Sequence, residues 1–368
     1  MSKFIPVAVP NFLGNEKKYV TDCIDTTWIS SNGKYINEFE SAFAERFGCK
    51  HAIACCNGTV TLHLALLALG IKEGDEVIVP SFTYIATANA VRYCGAVPVF
   101  ADCLPDTWNI DPADIERKIT PKTKCIIPVH LYGNPCDMEA VNAIAKKHSL
   151  YVVEDAAECH GATFNGKTAG TIGDIGTFSF FGNKIITTGE GGMIVTDNDE
   201  LALKMRTLKG QGMDPTRRYW FTEIGYNYRM TNIEAAIGLA QLENIDKHIA
   251  LRRQVANWYM TELEPLRDHI TVQKVTENAE SVWWMFSFLL NDNVSISRDE
   301  LMAKLAEDGI ETRPLFYPMH VMPPYLDENA DCPVSEDISY RGINIPTHGL
   351  LTYEDVKYIC EAIKKHIL

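Results

Sequence analysis

Short β-rich runs alternate with helical patterns from residue 51 to about residue 197, and this alternation constrains the fold more than any other feature. We predict strands at 51–55, 76–80, 97–102, 125–130, 151–157, 176–181 and 191–197. Helices are predicted to begin near Thr59, Tyr84, Pro112 and Asp137. Stacked βαβ units of this kind form a mostly parallel sheet between helices, which predicts an α/β fold.

The C-terminal part of the chain has a different pattern. A long helical pattern at 231–263 precedes one or two strands near 270–290, a helix near 298–308, a proline-rich stretch at 313–325 and a closing helix at 353–367. We therefore predict a large domain at 1–240 and a smaller domain at 241–368, with the long helix as the bridge between them.

Composition excludes several classes of function. The 34 Lys and Arg residues against 48 Asp and Glu residues give a formal charge of −14, which argues against a nucleic-acid-binding surface. The 11 cysteines form no C-x-x-C pair, so we expect neither a metal site nor a disulfide framework, and a reducing cytoplasm fits best. No apolar stretch approaches the roughly 18–20 residues of a membrane span.

Lys184 is the most informative single residue. It follows a predicted strand and precedes the turn Gly189-Glu190-Gly191-Gly192. A lysine that reacts with a carbonyl needs such a place at a strand end, where burial can lower its pKa. Taken alone, the same pattern also fits a solvated loop lysine.

Asp155 ends the apolar run that begins at Tyr151. In open α/β sheets, ligands bind beyond the carboxyl ends of the strands, where Asn57, Asp102 and His130 are also predicted to lie. A carboxylate there can keep the pyridine nitrogen of pyridoxal 5′-phosphate (PLP) protonated. A solvated strand end or a helix cap is the ordinary alternative for such an acid.

A turn formed by Asn57, Gly58 and Thr59 separates the first predicted strand from its helix. Backbone N–H groups at a helix N-terminus bind phosphate, although ordinary N-capping explains the same residues. Ser179 can add a hydroxyl or face a strand surface. Tyr84 can stack on a cofactor ring or belong to the core.

These segments together resemble the DegT/DnrJ/EryC1/StrS family of PLP-dependent sugar aminotransferases, which have the fold-type I architecture with a smaller α+β C-terminal domain. The resemblance covers nearly the whole chain. It is carried by TWISSNGKYI, CCNGTVTLHLALLALGIKEGDEVIVPSFTY, PVHLYGNPCDM, VVEDAAE, TFSFFGNKIITTGEGGM, GYNYRMTN and ETRPLFYPMH.

The resemblance implies a role for each matching residue. Lys184 corresponds to the lysine that holds PLP as a Schiff base and moves a proton, and Asp155 corresponds to the partner of the pyridine nitrogen. The other implied cofactor contacts are Gly58, Thr59 and Ser179 at the phosphate, Tyr84 over the ring, Glu158 near the 3′-oxygen, and Asn227 reaching the phosphate in a neighbouring subunit. The implied substrate contacts are Arg218, Phe221, Arg229, Tyr317 and His320. Arg229 also fits a bracing ion pair, and His320 also fits a surface loop.

The implied reaction moves an amino group from L-glutamate to the C4 ketone of a nucleotide-linked 4-keto-6-deoxysugar, with GDP-4-keto-6-deoxymannose favoured, in a cytoplasmic homodimer that serves surface-polysaccharide (O-antigen) synthesis. Some members carry His in place of Lys184 and dehydrate their substrate, so the lysine favours transamination. Phe221 stands where similar proteins tend to have His, and SVWWMFSFLL departs from the usual aromatic pattern. A UDP-, TDP- or CDP-linked keto-sugar therefore stays open as the acceptor, and a catalytically silent regulator is the alternative from another class.

Overall fold

The computed structural model describes residues 4–327 and 330–368. Its largest sheet has seven strands: β1 (His51–Cys55), β2 (Glu76–Pro80), β3 (Val97–Ala101), β4 (Thr123–Ile126), β5 (Tyr151–Asp155), β8 (Ile175–Ser179) and β9 (Gly192–Thr196). The strand order is β1-β9-β8-β5-β4-β2-β3. Only β9 runs against the others in this sheet, so the carboxyl ends of β1, β2, β5 and β8 lie along one edge.

Helices pack around this sheet, and along the chain they precede, connect or follow its strands. They are α1 (Glu16–Asp25), α2 (Lys34–Phe47), α3 (Gly58–Ala68), α4 (Ala86–Tyr93), α5 (Pro112–Lys118), α6 (Met138–His148), α7 (Asp199–Lys209) and α8 (Asn232–Leu242). Side-chain caps fix several of their starts. Asp111 accepts a hydrogen bond from Ala113 N before α5, and Asp137 accepts one from Ala140 N before α6. Each cap satisfies an N–H group that the first helical turn leaves free.

The C-terminal part is built on α9 (Ile245–Leu263), α10 (Arg298–Glu307), α11 (Pro333–Arg341) and α12 (Tyr353–Ile367). Its antiparallel sheet has the order β10-β12-β14-β13, formed by β10 (Ile270–Val272), β12 (Phe286–Leu290), β13 (Arg313–Pro314) and β14 (Gly342–Ile345). A small third sheet joins β11 (Ala279–Glu280) to β6 (Thr163–Phe164) and β7 (Lys167–Thr168). Ile5 packs in the core around α9 and α12, so the N-terminal segment contacts this part as well. The division at residue 240 stays a prediction.

The prediction of a single helix at 231–263 is wrong, because the structure has two helices there: α8 ends at Leu242 and α9 begins at Ile245. Asn244 leaves helical geometry there, with φ −117° and ψ 14°, and its side-chain amide donates to Ala240 O at 3.3 Å. Asparagine competes with the helical backbone in this way. The closing helix at 353–367 is confirmed. Within the described residues no helix is both long and apolar enough to cross a membrane.

Candidate active site

The turn that follows β1 lies against the end of β8. Asn57 caps α3, because its Oδ1 accepts a hydrogen bond from Val60 N at 3.0 Å. Gly58 is the first residue of α3, and a Cβ atom at this position would lie 2.6 Å from Cβ of Ser179. Glycine therefore allows free N–H groups and the Ser179 hydroxyl to share one small space. This arrangement can bind a phosphate group.

Asp155 ends β5 at the same edge of the sheet and is buried, with 6% of its surface exposed. Its Oδ2 accepts a hydrogen bond from Thr87 Oγ1 at 2.8 Å, and its Oδ1 accepts one from Ala157 N at 3.2 Å. Burial raises the pKa of Asp155, while the Thr87 hydrogen bond opposes that rise. The carboxylate thus lacks a full counter-charge, which a cationic ring nitrogen can supply.

Lys184 extends from the loop after β8 towards two acidic side chains. Its Nζ lies 3.4 Å from Glu158 Oε1 and 3.7 Å from the centroid of the Trp284 ring. Burial lowers the pKa of Lys184, whereas Glu158 and Asp155 act in the opposite direction. An amine with a lowered pKa is uncharged, and hence nucleophilic, over a wider pH range.

Glu158 is held by a second contact, because its Oε2 accepts a hydrogen bond from Tyr132 N at 2.8 Å. Burial raises the pKa of Glu158, and Lys184 opposes this effect. Tyr132 adopts φ +56°, a conformation that few non-glycine residues take, and it directs its N–H towards this carboxylate. Strain at this position is consistent with a functional site.

Aromatic rings continue from the lysine towards the surface. Trp284 stacks on Tyr132, with ring centroids 6.2 Å apart, and Tyr132 stacks on Phe316 at 5.3 Å. Phe316 contacts Tyr84, whose ring centroid lies 5.9 Å away and whose side chain is exposed. Tyr84 lies just before α4, so it has room to cover a flat ligand.

The predicted substrate residues differ in their exposure to solvent. Arg218, Phe221 and Tyr317 are exposed. His320 is buried, and its Nδ1 lies 2.7 Å from Ser81 Oγ while its Nε2 lies 3.0 Å from Glu336 Oε1. The surface-loop alternative for His320 is therefore wrong, and both of its ring nitrogens are engaged within the chain.

Asn227 and Arg229 form a contact of their own. Both side chains are exposed, and Asn227 Oδ1 accepts hydrogen bonds from Arg229 Nε at 3.2 Å and Nη2 at 3.1 Å. The segment runs beside the end of β1, where Cys56 N donates to Tyr228 O at 3.0 Å. This contact fits the alternative role of Arg229, which is to brace the loop. Its partner is the side-chain amide of Asn227 and not the carboxylate of an ion pair.

Two residues predicted at the ligand edge have structural partners instead. Asp102 accepts hydrogen bonds from Val334 N and Ser335 N at the start of α11. His130 contacts Glu154 Oε2 at 2.9 Å and accepts a hydrogen bond from Cys136 N. Both side chains are therefore committed to packing the chain.

Sequence reasoning missed Thr87, Tyr132, Trp284 and Arg252, which contact Asp155, Glu158 or Lys184. Their partners are distant along the chain, so no local motif points to them. Tyr132 lies in the segment PVHLYGNPCDM, Trp284 lies in SVWWMFSFLL, and Thr87 lies three positions after Tyr84, but none of these segments indicates which residue the side chain or main chain would contact. No group of three or more His, Cys, Asp or Glu residues that could hold a metal ion occurs within 4–327 and 330–368.

Comparison with known proteins gives one consistent result. The model of the DegT/DnrJ/EryC1/StrS aminotransferase family matches residues 12–364. A GDP-perosamine synthase from Caulobacter vibrioides is 56% identical over 98% of this chain and 97% of its own. A GDP-perosamine synthase from Escherichia coli O157:H7 is 52% identical over 99% and 98%.

A solved structure has a fold that closely matches the fold of this chain. The E. coli GDP-4-keto-6-deoxy-D-mannose-3-dehydratase with bound hydrated PLP has a TM-score of 0.92 at 28% identity, covering 99% of this chain and 100% of that one. The predicted α/β fold class is confirmed.

Proposed function

Because the chain belongs to the DegT/DnrJ/EryC1/StrS aminotransferase family, we propose that it uses PLP to move an amino group from L-glutamate to the C4 ketone of GDP-4-keto-6-deoxymannose. The product is GDP-perosamine, a building block for surface polysaccharide such as O-antigen. The observation that carries the proposal is the meeting of Lys184, Asp155 and the Gly58 turn at one edge of the sheet, in a chain 56% identical to a GDP-perosamine synthase.

The residues present fit PLP. The Gly58–Ser179 cradle excludes even one added methyl group and offers N–H and hydroxyl donors to a phosphate. Asp155 is a buried carboxylate that lacks a full counter-charge, and Lys184 is a buried amine. When bound, PLP carries the amino group between the two substrates and stabilises the electron pair left after a C–H bond breaks.

The residues of this chain supply the other roles in the reaction. Lys184 holds the cofactor through its amine and, when free and uncharged, accepts the α-proton of glutamate and later returns a proton. Asp155 stabilises a positive charge on the ring nitrogen, with Thr87 fixing its orientation. Glu158 holds the Lys184 amine at 3.4 Å. The Gly58, Thr59 and Ser179 donors bind the phosphate, and Tyr84 covers the ring.

The acceptor site includes Arg218, Phe221, Arg229, Tyr317 and His320 in this proposal. Arginine suits the diphosphate because its planar fork can bind phosphate oxygens in pairs. Asn227 reaches the phosphate in the neighbouring subunit of a homodimer. The enzyme works in the cytoplasm in this proposal, where nucleotide sugars and reduced thiols coexist, and all 11 cysteines are free.

The test is an acceptor panel with 15N-labelled glutamate. We expect the label in GDP-perosamine and an equal amount of 2-oxoglutarate when GDP-4-keto-6-deoxymannose is supplied. UDP- and TDP-linked 4-keto-6-deoxysugars serve as matched acceptors, and Lys184→Ala is the inactive control. Transfer of 15N to a UDP- or TDP-linked sugar, with none to the GDP-linked one, would contradict the proposed substrate.

A further inference from the structure

Arg252, on α9, is a buried cation without an acidic partner. Only 5% of its surface is exposed, and no carboxylate in the described part of the chain forms an ion pair with it. Its guanidinium donates instead to carbonyl oxygens of three segments, at 2.9 Å to Trp284 O, 2.8 Å to Thr347 O and 3.5 Å to Lys184 O. Burial lowers the pKa of Arg252 to about 10, so it stays charged at neutral pH. An uncompensated buried charge is costly and needs an explanation.

Trp284 contacts both Lys184 and Arg252. Its indole Nε1 donates to Asn183 O at 2.8 Å, so it holds the residue directly before Lys184. The face of the same indole lies 3.7 Å from Lys184 Nζ. Arg252 binds the main-chain oxygens of both Lys184 and Trp284. The lysine is therefore fixed at its main chain by two residues and at its amine by one of them.

The titratable groups that face Arg252 are basic and come from four segments. They are Lys184 after β8, His160 after β5, His248 on α9 and His348 after β14. Burial lowers the pKa of each, and the charge of Arg252 lowers it further. For His248 and His348 the pKa falls to about 4, and for His160 to about 3. The histidines are thus neutral at pH 7, which leaves Arg252 as the fixed charge of the group.

Acidic groups also face members of this basic cluster. Glu158 and Asp155 face Lys184, and they favour its charged form. Glu16 faces His248, and Asp355 faces His348. The two carboxylates at Lys184 would by themselves hold its amine in the ammonium form. Arg252 is the fixed charge that opposes them.

We propose that Arg252 is a positioning residue for Lys184: it fixes the main chain that carries the amine, and its unpaired charge favours the uncharged amine. This inference rests on the proposed function, because only a reacting lysine needs to be uncharged at neutral pH. Trp284 assists by holding Asn183, but it contributes no charge. The two effects of Arg252 can be separated by substitutions that change its charge or its contacts.

The experiment measures the protonation of Lys184 directly in the full-length protein after its cofactor has been removed. Reductive methylation with formaldehyde and cyanoborohydride is followed over a range of pH, and mass spectrometry of the peptide containing residue 184 gives the rate. Arg252→Met and Arg252→Gln remove the charge, and Gln keeps N–H donors for the carbonyls. Arg252→Lys keeps the charge, and Trp284→Phe removes the contact with Asn183 without changing any charge.

We expect the midpoint of the Lys184 rate to rise in the Met and Gln variants, so that the methylation rate at neutral pH falls at least about threefold. The Lys and Phe variants keep the wild-type midpoint. A wild-type midpoint in a folded Met or Gln variant would overturn the proposal. If neither neutral variant folds, the wild-type titration decides: a Lys184 midpoint at or above the ordinary lysine value of 10.5 overturns the proposal, and a midpoint below that value supports it.

Failure of the proposed function would look different. The midpoint is measured without cofactor, donor or acceptor, so it does not depend on which sugar is aminated or whether any is. A midpoint that responds to the charge at Arg252, in a protein that transfers no amino group, would leave the positioning role intact and remove the proposed reaction.

Discussion

Gly58 and Ser179 approach so closely that a Cβ atom on Gly58 would lie 2.6 Å from the Cβ atom of Ser179 and 2.9 Å from its Oγ. Real Cβ atoms do not come this near to another carbon. The contact joins the helix that follows β1 to the end of β8, two strands separated in the sheet by β9. The phosphate site that we propose is formed by this approach.

Gly58→Ala should therefore weaken PLP binding without unfolding the chain. Alanine is favoured over glycine in helix α3, but its methyl group must displace Ser179, and overpacking of this kind costs roughly 1–3 kcal/mol. We expect the Kd for PLP to rise about tenfold or more. Gly210→Ala is a matched control, because its nearest contact would be 3.4 Å, to Arg206 O. Equal PLP affinity in both variants would count against the cradle.

Asp155→Asn should separate activity from stability. The pKa of Asp155 is raised by burial, so the folded state binds its proton more tightly than the unfolded chain does. Ionising this group therefore reduces stability as the pH rises from its ordinary value of 3.8 through the folded value. At neutral pH the cofactor-free Asn variant should be at least as stable as the wild type, while kcat falls at least about 10²-fold. Urea unfolding and steady-state kinetics check both parts, and unchanged kcat would refute the assigned role.

His160→Leu should make the cofactor-free protein less sensitive to acid. His160 is fully buried, neither ring nitrogen has a hydrogen-bond partner of good geometry among the described residues, and its pKa is lowered to about 3. Below pH 6.5 the unfolded chain gains a proton here that the folded state does not, so stability is lost as the pH falls. Between about pH 8 and pH 5 the wild type should lose about 2 kcal/mol more unfolding free energy than the variant. Equal losses in urea titrations would contradict this.

Mixed dimers test the proposed contribution of Asn227 to the neighbouring active site. Lys184→Ala and Asn227→Ala protomers, each inactive alone, should regain about a quarter of wild-type activity when unfolded and refolded together at equal amounts. Half of the dimers are then mixed, and half of the sites in a mixed dimer carry neither substitution. A mixture of Lys184→Ala with Asp155→Ala protomers is the control, and it should show no recovery because these two residues face each other within one subunit. Absence of any recovery, with mixed dimers detected by mass, would place Asn227 in its own subunit's site.

A feature of the structure can be predicted from the sequence when the residues that determine it are close together along the chain. The strands at 51–55 and 76–80 match the structure because apolar runs bounded by turn residues lie within one short window. Asp155 ends such a run, and Lys184 lies in the loop that follows another one, so parallel strands bring both residues to one edge. The turn at Gly58 was predicted for the same reason.

Contacts across the chain could not be predicted in this way. Arg252 lies in the middle of a helical pattern, and its three carbonyl partners are 32 to 95 positions away along the chain. Asp102 ends a strand at the predicted edge, but the start of α11 takes its oxygens. Only the folded arrangement of the C-terminal part distinguishes Asp102 from Asp155.

The central claim is that Lys184 holds PLP, and borohydride reduction tests it most directly. Purified protein incubated with PLP should be yellow, and reduction should fix the cofactor's mass to the peptide that contains residue 184. Lys184→Ala should carry no fixed cofactor after the same treatment. A colourless wild-type protein that takes up no PLP, or a cofactor fixed to a different lysine, would contradict the account.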